Sequence, residues 1–198
     1  MASRHVGASN EELLRQGRQL EGVTLGWNVV GIVVLAFAAL QSRSVALAGF
    51  GLDSLIEIGA STVVLWELAD VAHSRQRHAM RMIGSAFVAL AIYLAVQSTV
   101  VLAVGFRPHH SFLGIAWTAM TAVVMFVLAA EKGRVGAALN NQVLTLEGRV
   151  TMIDGLLALA VLAGLALNSF LGWWWADPVA GYVILYYAIR EARSSLRH

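Results

Sequence analysis

Residues 44–68 read SVALAGFGLDSLIEIGASTVVLWEL. The stretch is apolar and long enough to cross a bilayer, which takes about 20 residues, yet Asp53 and Glu57 lie near its middle. Four residues apart on a helix, the two carboxylates share one face, one above the other. An ionised carboxylate at membrane depth costs several kcal/mol, so such residues are rare and point to function. A cation held between them is the simplest reason for two.

The whole chain supports this reading. Its 198 residues are 58% hydrophobic and 13% charged, with mean hydropathy +0.69, whereas a soluble domain carries about 25% charged residues. It contains no cysteine, which excludes disulfides, thiolate metal ligands and cysteine nucleophiles. The formal charge of +2 forms no nucleic-acid-binding stripe. The N-terminus does not read as a clean signal peptide, because the first apolar run begins only after residue 20, is of spanning length and is followed by more.

Six apolar segments are expected as transmembrane helices: Gly22–Gln41, Ser44–Leu68, Met82–Gly105, Phe112–Ala130, Gly148–Leu167 and Pro178–Ile189. The last is short and is expected to extend past Arg190, its charged side chains reaching to the interface. The fold class is therefore an all-α membrane protein, a six-helix bundle. Residues 1–20 form a polar N-terminal segment in which Ser9 and Glu12 read as a capping box opening a short amphipathic helix. Residues 21–198 form the membrane domain, and no C-terminal cytoplasmic domain is expected. Asp177-Pro178 reads as an N-cap acid followed by Pro at the first helical position, and Trp173–Trp175 as an interfacial aromatic belt.

Basic residues assign the sides. Arg4, Arg15 and Arg18 precede the first segment; Arg75, Arg77 and Arg81 follow the second; Lys132 and Arg134 follow the fourth; Arg190, Arg193 and Arg197 follow the sixth. The other side carries only Arg43 and Arg107, with Arg149 at the start of the fifth segment, and the excess puts both termini in the cytoplasm. The longest polar connections are Ala69–Arg81 and Glu131–Thr145, and His109 and His110 read as a solvated pair in an outer loop.

Further polar residues lie within the apolar segments. Asp154 is about two turns inside the fifth, and Glu147, seven residues earlier, falls on nearly the same face. Glu21 and Asn28 repeat that spacing in the first, where Leu20-Glu21-Gly22 matches Leu146-Glu147-Gly148. The first and fifth helices are thus expected to turn equivalent polar faces to a shared interior. With the second helix packed beside the fifth, Asp53, Glu57 and Asp154 meet at one depth, with no Lys or Arg at matching depth to pair them. Three carboxylates in low dielectric cannot all remain charged alone; a divalent cation resolves this, and hard oxygen ligands suit Mn²⁺, Mg²⁺ or Fe²⁺ while accommodating Zn²⁺ or Co²⁺. Asp53, Glu57 and Asp154 are the expected metal ligands. Asn28, Glu147 and Glu21 are candidates for supporting the site or leading to it, against the plainer readings of Asn28 as glue between helices and of the two glutamates as solvated at the interface. Gln97 also reads as buried glue.

These residues carry a resemblance. Ser44–Glu57 resembles the second transmembrane helix of the cation diffusion facilitator family, in which an Asp or His followed four residues later by an Asp binds the transported metal. Asp53 and Glu57 fall on those two positions. Asp154 falls on the second ligand position of that family's fifth helix, Val150 on the first, and Asp177-Pro178 is similar to the start of its sixth helix. The resemblance implies a six-helix membrane bundle that exports divalent metal, usually against protons. Two departures stand out: Val150 offers no ligand, and the family's cytoplasmic metal-sensing and dimerising domain is not seen. A site lacking imidazole at Val150 is expected to favour Zn²⁺ less than the full ligand set does.

The expected function is transport, as efflux, of a divalent cation by proton antiport, with Zn, Mn, Fe or Co as cargo and no resident cofactor. The alternatives are a metal-binding or regulatory membrane protein that moves nothing, and an intramembrane aspartyl protease. For the latter, Gly49-Phe50-Gly51-Leu52-Asp53 resembles a Gly-x-Gly-Asp signature with one residue too many, and Glu57 is left unexplained. No enzyme is expected. The expected partners are a divalent metal ion and the lipid bilayer, with no nucleic acid and a homodimer left as an option; the expected location is the cell (plasma) membrane.

Overall fold

All regular structure among the described residues is α-helical. A computed structural model describes residues 2–67 and 76–196, with helices α1 (Ala2–Ser42), α2 (Val45–Glu67), α3 (Gln76–Val104), α4 (Phe112–Ala138), α5 (Gln142–Leu171) and α6 (Ala176–Leu196). Helices satisfy their backbone groups within one segment, which an apolar surrounding demands. Four of them contain stretches long and apolar enough to cross a membrane: Glu11–Ser42, Phe87–Val104, Phe112–Ala138 and Glu147–Leu171. In α2 the apolar run is interrupted by Asp53 and Glu57, and in α6 by Asp177, Arg190, Glu191 and Arg193.

The side-chain distribution inverts that of a soluble bundle. Val33, Leu40 and Val104 are 69%, 81% and 74% exposed, while Glu21 and Lys132 are both at 0%. An outer apolar belt around a polar interior is what a bundle surrounded by hydrocarbon requires. The α2 helix is central, packing against α1, α3, α5 and α6, and α4 closes the bundle against α5 and α1. The interior divides in two. Leu35, Leu47 and Phe50 pack with Leu94, Leu165 and Ile184 in an apolar core; residues 21–28 of α1, 53–61 of α2 and 147–154 of α5 supply most of the buried charge.

Local sequence explains the connections. Ser111 caps α4, its side chain accepting from the Gly114 N–H at 3.1 Å, and Asn141 caps α5 by accepting from the Leu144 N–H at 3.0 Å. Such caps satisfy N–H groups that the first turn leaves without partners. Gly172, at φ 68°, closes α5 in the left-handed conformation that glycine adopts without penalty.

Several expectations require correction. The α1 helix runs unbroken through Ser9, so no separate N-terminal helix opens there. The connection expected at Glu131–Thr145 is mostly helix: α4 continues to Ala138 and α5 begins at Gln142. Of Ala69–Arg81, residues 76–81 belong to α3 and the rest lie outside the described residues, as does Leu68. Asp177 does not cap its own helix, which begins one residue earlier at Ala176. Its buried carboxylate instead crosses to the start of α2, accepting from Ser44 Oγ and from the Val45 and Ala46 N–H groups at 3.0 and 3.4 Å. Gln97 is exposed on α3, beside the buried Ser98. His109 and His110 are exposed, and α6 does extend past Arg190, to Leu196.

The α4–α5 seam depends on small residues that let the backbones approach. A Cβ added at Gly148 would lie 2.9 Å from the Gly133 N, 3.2 Å from the Ala129 O and 3.2 Å from the Lys132 Cβ. Two of those neighbours are backbone atoms and cannot swing aside. Gly148→Ala is therefore expected to destabilise the protein by about 1–3 kcal/mol. The matched control is Gly26→Ala, where a Cβ meets nothing within 4 Å and helix propensity favours alanine. Thermal melts of both variants in one detergent check this; equal melting temperatures would contradict the tight seam.

Candidate cation site

Two polar clusters are stacked along the inner faces of α1, α2 and α5. Each draws on all three helices. In the first, Asn28 comes from α1, Asp53 and Glu57 from α2, and Asp154 from α5, all buried. Asn28 Nδ2 donates to Glu57 Oε2 at 2.7 Å. The Asp154 carboxyl lies beside those of Asp53 and Glu57. The three carboxylates expected from the sequence are thus neighbours, and no Lys or Arg forms an ion pair with any of them among the described residues. Two of their buried oxygens, Glu57 Oε1 and Asp154 Oδ2, have no hydrogen-bond partner. A buried acceptor left unsatisfied costs more when it carries charge, so this cluster has unused capacity for a proton or a cation. Among the described residues no three Asp, Glu or His side chains are drawn around one point as a finished metal cage; the carboxylates adjoin without enclosing a centre. Val150, one turn before Asp154, is half-buried on α5.

The second cluster lies one turn along α2 from Glu57, at Ser61, and two turns back along α5 from Asp154, at Glu147. Seven residues at 1.5 Å each put the clusters about 10 Å apart. Glu21 on α1 and Glu147 on α5 are buried, which removes the plainer of their two readings, as residues solvated at the interface. The reason is Lys132. Its ammonium reaches Glu21 Oε2 at 3.1 Å, Glu147 Oε1 at 3.5 Å and Thr151 Oγ1 at 3.1 Å. Ser61 Oγ donates to Glu147 Oε1 at 3.5 Å. The spacing of seven on α1 and on α5 thus does bring equivalent residues together, Glu21 with Glu147 and Asn28 with the Glu57–Asp154 group.

Lys132 is the residue that sequence reasoning missed. Placed by its neighbours Glu131 and Arg134 in a polar connection, it is instead fully buried on α4. A signal was present: the buried face of α4 runs Thr118, Thr121, Met125, Leu128, Lys132, Val135, with steps of three and four that carry Lys132 inward.

No family model matches the chain. It is similar to Transmembrane protein 163 of Xenopus laevis, at 23% identity over 181 residues, a match that covers 85% of this chain and 64% of that protein. The chain thus spans a little under two thirds of that relative's length. With its long apolar helices and this likeness, the chain is an integral membrane protein.

Proposed function

We propose that the protein carries a divalent metal cation across the membrane, as efflux in exchange for protons, through the Asp53–Glu57–Asp154 cluster. In this reading all six helices span, both termini are cytoplasmic and the membrane is the plasma membrane. The observation that carries it is the buried, unpaired pair of oxygens, Glu57 Oε1 and Asp154 Oδ2, in a carboxylate group with no ion-pairing base among the described residues. Asn28 fixes Glu57 by donating to its other oxygen, leaving Oε1 for the ion. Oxygen-only donors suit Mn²⁺ and similar hard ions. Closure of the carboxylates around the ion completes a site that is open without it. Glu57 also favours an ion site over a protease, whose two-aspartate chemistry has no use for a third acid held by Asn28.

Transport separates this reading from that of a metal-binding protein that moves nothing. Purified protein in vesicles with an imposed pH gradient is expected to accumulate Mn²⁺, and Asp154→Asn to reduce the rate to that of empty vesicles. Binding without accumulation in the wild type would replace transport by storage or regulation; equal transport by Asp154→Asn would remove the cluster from the pathway.

A further inference from the structure

Thirteen of the chain's fourteen basic residues are arginines, and Lys132 is its sole lysine. That lysine is also wholly buried, with its ammonium lodged among three oxygens from three different residues: Glu21 Oε2, Glu147 Oε1 and Thr151 Oγ1. Ser61 Oγ also donates to Glu147 Oε1, at 3.5 Å. An ammonium is a compact point charge on a flexible stem, unlike the broad planar guanidinium. Held this way it is a tethered cation in an oxygen cage, bonded through its N–H groups. The cage is not saturated: Glu21 Oε1, on a side chain at 0% exposure, is buried without a partner.

The cage also adjoins the carboxylate cluster. Ser61 follows Glu57 by one turn on α2, and Glu147 precedes Asp154 by two turns on α5, so the cage and the carboxylate cluster share one polar seam.

We propose that Glu21, Glu147 and Thr151 form a second cation site, filled at rest by the Lys132 ammonium, and that a divalent cation bound for the Asp53–Glu57–Asp154 cluster displaces that ammonium on its way. The part concerning passage rests on the transport reading above; the cage itself does not. Charge favours the exchange: two carboxylates with one ammonium keep a net negative charge, whereas two carboxylates with one divalent ion are neutral. No covalent bond of the protein is made or broken: the ammonium exchanges its hydrogen bonds in the cage for others, with water as the partner outside, and the ion takes the freed oxygens. The ammonium leaves on its four-carbon stem, and on return it closes the seam behind the ion. Lys132 is in this sense a plug whose removal the incoming ion must earn by binding more tightly.

A lone lysine makes the test direct. Full-length protein labelled with ¹⁵N-lysine has one side-chain ammonium resonance. Titration with Zn²⁺ is expected to shift it and to speed its exchange with water. The response should persist in Asp53→Asn/Asp154→Asn, at higher Zn²⁺, and be abolished by Glu147→Gln. A resonance unmoved at Zn²⁺ concentrations well above those that saturate the Asp53–Glu57–Asp154 cluster would overturn the proposal. In a second arm, Lys132→Ala placed in the Asp53→Asn/Asp154→Asn background should bind one Zn²⁺ per chain at least tenfold more tightly than that background alone, and no gain would overturn the proposal. If this variant does not fold, the labelled wild type carries the test unaided. The two readings fail separately. A Glu147-dependent response in a protein that transports nothing upholds the cage and sinks transport; transport with an unresponsive lysine sinks the cage alone.

Discussion

Replacing Lys132 with alanine is expected to destabilise the folded protein by about 3–5 kcal/mol when no divalent ion is present. The effect comes less from losing an attraction than from what remains. Glu21 and Glu147 stay buried, and two carboxylates without a counter-charge repel each other where solvent does not screen them. Removing the whole group at once should cost much less, because the desolvation penalty goes with the charges. Glu21→Gln/Lys132→Met/Glu147→Gln is therefore expected to recover most of the loss. Thermal unfolding of wild type, single and triple variants in one detergent checks both statements. A single variant within 1 kcal/mol of wild type would mean that Lys132 is not the partner of these acids.

The second large effect concerns ion affinity and pH together. Asp154→Asn is expected to weaken divalent-ion binding by on the order of a hundredfold or more, since even residues supporting a metal ligand cost 10–100-fold when replaced. Metal ligands must be deprotonated, so protons and the ion compete for the same oxygens. Wild-type affinity should accordingly fall as pH falls, by about tenfold per pH unit for each proton displaced. Asp154→Asn removes one competing group and should flatten the slope by about one proton. Calorimetric titrations with Mn²⁺ at several pH values, in buffers of different ionisation enthalpy, give affinity and proton release at once. An unchanged slope in the variant would separate the protons from the ion site.

Much of this arrangement is local and therefore legible. Long apolar runs mark the helices, and the spacing of Asp53 to Glu57 puts both on one face. The repeated interval of seven, Glu21 to Asn28 and Glu147 to Asp154, aligns two helices before their packing is known. What escapes is tertiary. Lys132 sits at the end of an apolar run between Glu131 and Arg134, both at least partly exposed, and its mate Glu21 is 111 residues away. Asp177-Pro178 has the form of a cap for its own helix, but the carboxylate serves α2 from 132 positions downstream. Gln97 shows the reverse error: its neighbour Ser98 takes the inward position, and nothing in the local pattern distinguishes the two.

The central claim is that Asp53, Glu57 and Asp154 together hold one divalent cation. Equilibrium dialysis of the purified protein against Mn²⁺, comparing wild type with Asp53→Asn and with Asp154→Asn, tests it most directly. At Mn²⁺ concentrations below those that load the Glu21–Glu147–Thr151 cage, one bound ion per chain is expected in the wild type, and both substitutions are expected to remove it while the protein remains folded. Retention of that ion by either variant, or no bound ion in the wild type, would contradict it.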